Sequence, residues 1–261
     1  MSLSIMGNWG EERDMDYLMD LPDPVPLGNR HHPERLEVPF QIMEMVLETK
    51  GLIAKDVVHR VSADNAKCLT TFNISENGAS NRFESTDHSI SGFTIAAQDS
   101  SMANNMGWGS SVFLCTNMIF NANYMMRHKS TLNGRTNLRN MAFDAIHDLD
   151  NVREQIGHSF NRMKKCPMTD EQAAWWLIDA VGKNAINTRD IPKLWSSYLE
   201  PEIKEFKTGN FYSLYNSVTG MYQERNPFNI SRLSRNLNKA SDTYLDMREG
   251  REQIHELAIR N

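Results

Sequence analysis

Hydrophobic positions along the chain change their period near residue 137. Before that point the apolar runs are short and rich in β-branched or aromatic residues: Val57–Val61, Cys68–Ile74 and Ser89–Ala97. Asn77-Gly78, between the last two, is a hairpin signal. Ser111–Phe120 is apolar on both alternating sets, Val112/Leu114/Met118 and Phe113/Cys115/Ile119, the pattern of a strand buried on both faces. A second strand is predicted from Asn121, with Arg127 and Lys129 on one face and Tyr124, Met126 and His128 on the other. Ahead of all these, Phe40, Ile42, Met43, Val46 and Leu47 predict a helix ending at Gly51.

After Asn137 the spacing is helical. Leu138, Ala142, Ala145, Leu149, Val152, Ile156 and Met163 form a near-heptad seam, which predicts one long helix packed on the sheet or on a copy of itself. Thr169 and Gln172 resemble a capping box for a helix carrying Trp175, Trp176, Ile178 and Val181. Further helices begin at Thr188, with Ile191, Leu194, Trp195, Tyr198 and Leu199, and at Asn210, with Phe211, Leu214, Tyr215, Val218, Met221 and Tyr222. These aromatics fall at helical spacing, so core packing is the stronger reading than base stacking. Ile230, Leu233, Leu237, Ala240, Tyr244 and Met247 make a last seam, after which Gly250 separates a short terminal helix or tail over 251–261.

The expected fold is α+β, an antiparallel sheet in the first half packed with a mostly helical second half. Residues 36–250 are one domain. Residues 1–35 read as an extended, mobile acidic arm, because Pro22, Pro24, Pro26 and Gly28 interrupt any regular element.

At 261 residues, with 40% apolar and 23% charged positions, the chain can bury a sizeable core. Cys68, Cys115 and Cys166 lie too far apart for a disulfide framework or a C-x-x-C metal site, which favours a reducing compartment. No apolar run of about 18 residues is present, so no membrane partner is expected.

Charge changes the picture more. The chain carries a formal −5, yet six acids against Arg13 alone fall in residues 1–24, which leaves the rest close to neutral. From Ser100 to Phe143 there is no Asp or Glu, while Arg127, Lys129, Arg135 and Arg139 are all cationic. Cations in a helix's first turn oppose its dipole, and a helix N-terminus flanked by Arg suits a phosphate. Phe120 and Tyr124 offer stacking faces beside them. A second acid-free stretch, Arg225 to Ser241, holds Arg225, Arg232, Arg235 and Lys239; Lys164 and Lys165 are weaker members of the set. These twelve residues are the candidate nucleic-acid-binding set. A solvated helix face is the plain alternative for the second stretch, and pairing with a helix C-terminus for the two lysines.

Enzyme signatures are missing. There is no Gly-rich phosphate loop, no H-E-x-x-H and no G-x-S-x-G, and His31-His32 lacks a completing ligand set. Cys115 with His128 is the one nucleophile-like pair, and Cys115 lies in an apolar strand where packing explains it better. No catalysis, metal or cofactor is expected.

Leu114-Cys115-Thr116-Asn117, followed by Arg127-His128, resembles the C-[ST]-N-G…R-H-T signature of a family of phage- and plasmid-encoded proteins. Leu214-Tyr215-Asn216-Ser217-Val218-Thr219 resembles that family's W-x-x-[FY]-N-A-[VL]-T-E. Met118, Lys129 and Gly220 depart from the signatures. In size, acidic arm, sheet-then-helices order and basic segments the chain is similar to the Drc-like single-stranded-DNA-binding RNA polymerase cofactors of podoviruses that package a virion RNA polymerase. That resemblance implies a phage protein of the host cytoplasm, with a fold distinct from the OB barrel, that coats single-stranded DNA and helps recruit the phage RNA polymerase to promoters. The two seams add the expectation of a homo-oligomer, a tetramer by preference. A single-strand annealing protein for recombination, and a protein-interaction factor that binds no DNA, are the alternatives.

Overall fold

The computed structural model describes residues 10–76, 82–83, 88–112, 117–201, 204–206, 209–222 and 225–259; the side chains of 111–125, 205, 227–228, 230–231 and 251–259 stand outside the description. The fold is α+β. Six strands, β1 (Glu11–Arg13), β2 (Leu52–Val61), β3 (Lys67–Glu76), β4 (His88–Ala97), β5 (Asn104–Val112) and β6 (Asn117–His128), pair in sequence order as an antiparallel meander. Helices α1 (Met15–Asp20) and α2 (Val38–Glu48) precede most of the sheet. The rest follow it: α3 (Gly134–His147), α4 (Leu149–Lys165), α5 (Asp170–Gly182), α6 (Ile191–Leu199), α7 (Phe211–Tyr222) and α8 (Pro227–Ile259). Among the described residues no helix is long and apolar enough to cross a membrane.

One sheet face carries an aromatic ladder. Phe40 of α2 meets Phe72 of β3 edge-on at 5.5 Å, and Phe72 meets Trp108 of β5 at 6.3 Å. Gly92 of β4 is in register between Phe72 and Trp108, so the two rings close over a position without a side chain. The Trp108 indole N–H donates to the Ala145 carbonyl at 2.8 Å and ties the sheet to α3. Phe160 of α4 packs edge-on against His88, Tyr212 and Tyr215, while Phe211 of α7 bridges Trp176 of α5 and Tyr244 of α8. The buried cluster therefore runs unbroken from Val38 to Leu245. On the other face Leu69, Phe93 and Ile95 are buried as well.

Several expectations need correction. Ser111–Phe120 is not one strand, because its ends belong to β5 and β6; residues 113–116 between them, with Cys115, and the Asn77-Gly78 turn lie outside the described residues. β5 itself (NNMGWGSSV) was hidden by its glycines, and Gly107 and Gly109 flank a register shift against β6. The predicted helix over 138–163 breaks at Asp148, which ends α3 and starts α4. Its seam residues, like Leu237, Ala240 and Tyr244 of the last seam, are buried within the chain. That packing removes the argument the seams offered for self-association. Gly250 does not end a helix: α8 runs through it to Ile259.

From Glu11 onward the acidic arm is part of the fold. β1 pairs with β2, and Leu18 of α1 sits at 1% exposure in a small core with Leu36, Val61, Cys68 and Ala96. Arg35 holds the stretch between α1 and α2, donating to Asp23, Glu37, Leu21 O and Met19 O. The prolines exclude helix there, but apolar residues and charge pairing still give the segment partners. Trp175 and Ile178, expected in the core, lie on the outer face of α5 at 55% and 64% exposure; Trp176 takes the inner position.

Candidate nucleic-acid interface

The C-terminal end of β6 places the first cationic group. Met126 packs against the core, so Arg127 points to the opposite face, where it is exposed, and Lys129 follows just past the strand. Neither has a carboxylate partner among the described residues. The register sets Arg127 opposite Asn105 of β5. Asn105 is buried, donating through Nδ2 to the Ala103 carbonyl at 2.7 Å while its Oδ1 has no partner among the described residues.

Lys129 lies on a groove of about 1000 Å³ formed by three segments: Leu27–His31, Ser100–Ala103 and Lys129–Thr131. The His32 N–H donates to the Ser130 carbonyl at 3.0 Å and locks the first segment to the third. Ser100 shapes the second with a left-handed φ of 54°. The groove carries Arg30, His31 and Lys129 and no carboxylate among its lining residues. Asp99 is adjacent but engaged elsewhere: burial pushes its carboxyl up, and the Lys67 ammonium at 2.7 Å with Ser101 outweighs this and holds it below the usual range. His31 accepts the Leu27 N–H on Nδ1 at 3.1 Å, which leaves Nε2 as the protonated nitrogen of the neutral ring. That Nε2 is buried without a partner among the described residues, while the residue itself lines the groove.

The start of α3 differs from the expectation of an open phosphate site. Asn133 gives no side-chain cap, and the Glu34 side chain lies beside the helix start. Its carboxylate accepts from Arg135 Nε at 2.9 Å, and its Oε1 would lie 3.1 Å from a Cβ built on Gly134, the first residue of α3. Arg135 is thus paired, although 69% of its side chain remains exposed. Arg139 is exposed, with its guanidinium 5.7 Å from the Phe143 ring centroid. The His128 ring, whose pKa burial lowers, lies 3.4 Å from both Thr131 Oγ1 and Asn137 Nδ2. Phe120 and Tyr124 belong to β6, and their side chains are outside the described residues.

The second cationic group is split. Arg232, Arg235 and Lys239 are exposed along α8 without carboxylate partners among the described residues. Arg225 is part-buried and donates to Asp190 at 2.5 Å, so it is not part of that stripe. The Lys164 ammonium lies 5.0 Å from the Tyr212 ring centroid. Lys165 is exposed beside Arg162, which is clamped by Asp246 and Glu249; that pairing, Glu249 foremost, raises the Arg162 pKa against burial. Arg60, Lys67 and Arg82 also face acids: Glu12, Asp99, and Glu76 with Asp150.

Arg30, His31, Ser100 and Ser101 were missed by sequence reasoning, since they enter the site from a segment read as a free arm and from a short turn. Among the described residues no three His, Cys, Asp or Glu side chains converge as a metal site would require. The Cys68 thiol is pushed up to about 12 by burial, against the Thr70 hydroxyl that favours the thiolate. Compared with known proteins, the chain matches no family model, no curated protein and no solved structure.

Proposed function

We propose that the protein is a non-enzymatic, sequence-tolerant single-stranded-DNA-binding protein that acts as a cofactor recruiting a phage RNA polymerase. One observation carries the reading: the groove at the end of β6 collects Arg30, His31 and Lys129 with no carboxylate among its described lining residues, and Arg127, two residues before Lys129, is exposed without a carboxylate partner among the described residues. In a chain of net charge −5, such a concave cationic surface concentrates a polyanion locally. Phosphodiester backbones are neutralised there with release of counterions, which requires no particular base sequence. The likeness of the sequence to polymerase cofactors supports the recruiting role.

The test is fluorescence anisotropy with labelled single- and double-stranded DNA of equal length, at about 50 and about 200 mM salt. Preferential single-strand binding that weakens steeply with salt, and is lost in Arg127→Glu/Lys129→Glu, is the expected result. Binding left intact by that double reversal removes the groove from the interface. Absence of binding to either form removes DNA altogether.

A further inference from the structure

A second pocket, of about 490 Å³, lies between the C-terminal end of α5, the Thr188–Asp190 turn, the end of α7 and the first turns of α8. Its floor is a small apolar area beneath a more polar rim: Ile186, Met221 and the ring of Tyr222 are almost wholly buried there, and the Tyr222 hydroxyl donates to the Ala185 carbonyl at 2.7 Å. Among the described residues one carboxylate reaches it. Asp190 Oδ2 accepts the Asn187 backbone N–H at 3.1 Å and the Arg225 guanidinium at 2.5 Å, so its charge is spent in orienting Arg225 along the pocket wall. Arg232 lines the same pocket, exposed and without a carboxylate partner among the described residues. Among the described lining residues, two guanidiniums against one carboxylate leave a net positive charge above the buried apolar side chains.

We propose that this pocket takes a nucleoside monophosphate group, either a free nucleotide or the end of a strand, with its base over Ile186 and Met221 and its phosphate against Arg225 and Arg232. Guanidinium forks match phosphate oxygens in pairs, and a pre-oriented arginine loses little freedom on binding. Inorganic phosphate alone would leave the apolar floor bare, and an uncharged hydrocarbon would leave Arg232 unused. The volume falls in the range of about 300–1,000 Å³ that small-molecule sites occupy. Arg225 and Arg232 therefore serve a compact anionic ligand, while Arg235 and Lys239 sit outside the pocket lining. The proposal does not rest on the groove at β6.

Isothermal titration of the full chain with deoxyadenosine monophosphate, deoxyadenosine and inorganic phosphate tests it, alongside oligonucleotides with and without a 5′-phosphate. The nucleotide is expected to bind with Kd of about 1 mM or tighter, and deoxyadenosine and phosphate each about tenfold or more weaker. Arg232→Glu, at an exposed position, should abolish the difference without moving the thermal melt; Arg225→Lys should weaken binding because the fork is lost. A gain from the 5′-phosphate that depends on Arg232 identifies a strand end as the ligand, and its absence a free nucleotide. Nucleotide binding that survives Arg232→Glu, or no saturable binding of nucleotide or phosphorylated strand, overturns the proposal. So does loss in Arg127→Glu/Lys129→Glu alone, which would move the nucleotide to the β6 groove.

Discussion

Gly92 faces the aromatic ladder, where an added Cβ would stand 2.2 Å from a Phe72 ring carbon and 2.7 Å from Trp108. Neither ring can retreat, since both are buried and Trp108 is held by its bond to Ala145. Gly92→Ala is expected to cost at least the ~1–3 kcal/mol of an overpacked core, read as a lower urea midpoint; an unchanged midpoint would show that the ladder yields. His59 gives a pH-dependent counterpart. Burial lowers its pKa from the ordinary 6.5, against the opposing Asp14 charge, and its Nδ1 lies 2.8 Å from Thr70 Oγ1. Below pH 6.5 the unfolded chain takes up a proton that folded His59 refuses. Its contribution is therefore complete above that pH and is lost progressively as the pH falls from there through the lower folded-state value. Urea melts between about pH 7 and pH 5 should show stability falling with acid, and the fall should be shallower in His59→Gln. It will not vanish, because His128 shifts in the same direction. Neither effect was legible in the sequence: Gly92 reads as one more small residue in SISGFTIAA, and only the register reveals what lies on either side.

At the scale of elements, legibility followed the strength of local signals. The Thr169/Gln172 capping box is present as read, whereas α2 ends at Glu48 with Thr49 as its C-cap, and Gly51 closes the turn after it with a φ of 70° that favours glycine. Cap and turn chemistry is local, so the sequence carries it whole. β5 failed the same test because its glycines and asparagines resemble a loop, and only pairing on both sides makes it a strand. Gly250 was misread for the converse reason: glycine ends helices often, but here α8 carries it through. A Cβ at Gly250 would meet nothing within 4 Å. Gly250→Ala should therefore stabilise the protein by roughly 0.5–1 kcal/mol through helix propensity, with a higher thermal midpoint as the readout. A lower midpoint would mean that the chain breaks at Gly250, as the sequence alone suggested.

Across the whole molecule, the sequence showed where cations gather but not which acids answer them. Charge runs are read along the chain, whereas pairing occurs across it: Arg60 meets Glu12, Arg225 meets Asp190, and Arg135 meets Glu34, each from a distant segment. Glu12 and Glu34 of the N-terminal segment thus act as internal counter-charges. Glu34 has the sharpest consequence, because its carboxylate sits against the first residue of α3 and on Arg135, the place where a backbone phosphate would otherwise be favoured. A DNA strand following the β6 groove toward α3 has to displace Glu34 or pass it by. Glu34→Gln removes that competing charge and frees Arg135. Single-strand binding at low salt should strengthen, and the slope of log affinity against log salt should steepen by about 0.7 for one added phosphate contact. Affinity and slope equal to those of the unaltered chain would place Arg135 and the α3 terminus off the DNA path, confining the track to Arg30, Arg127 and Lys129.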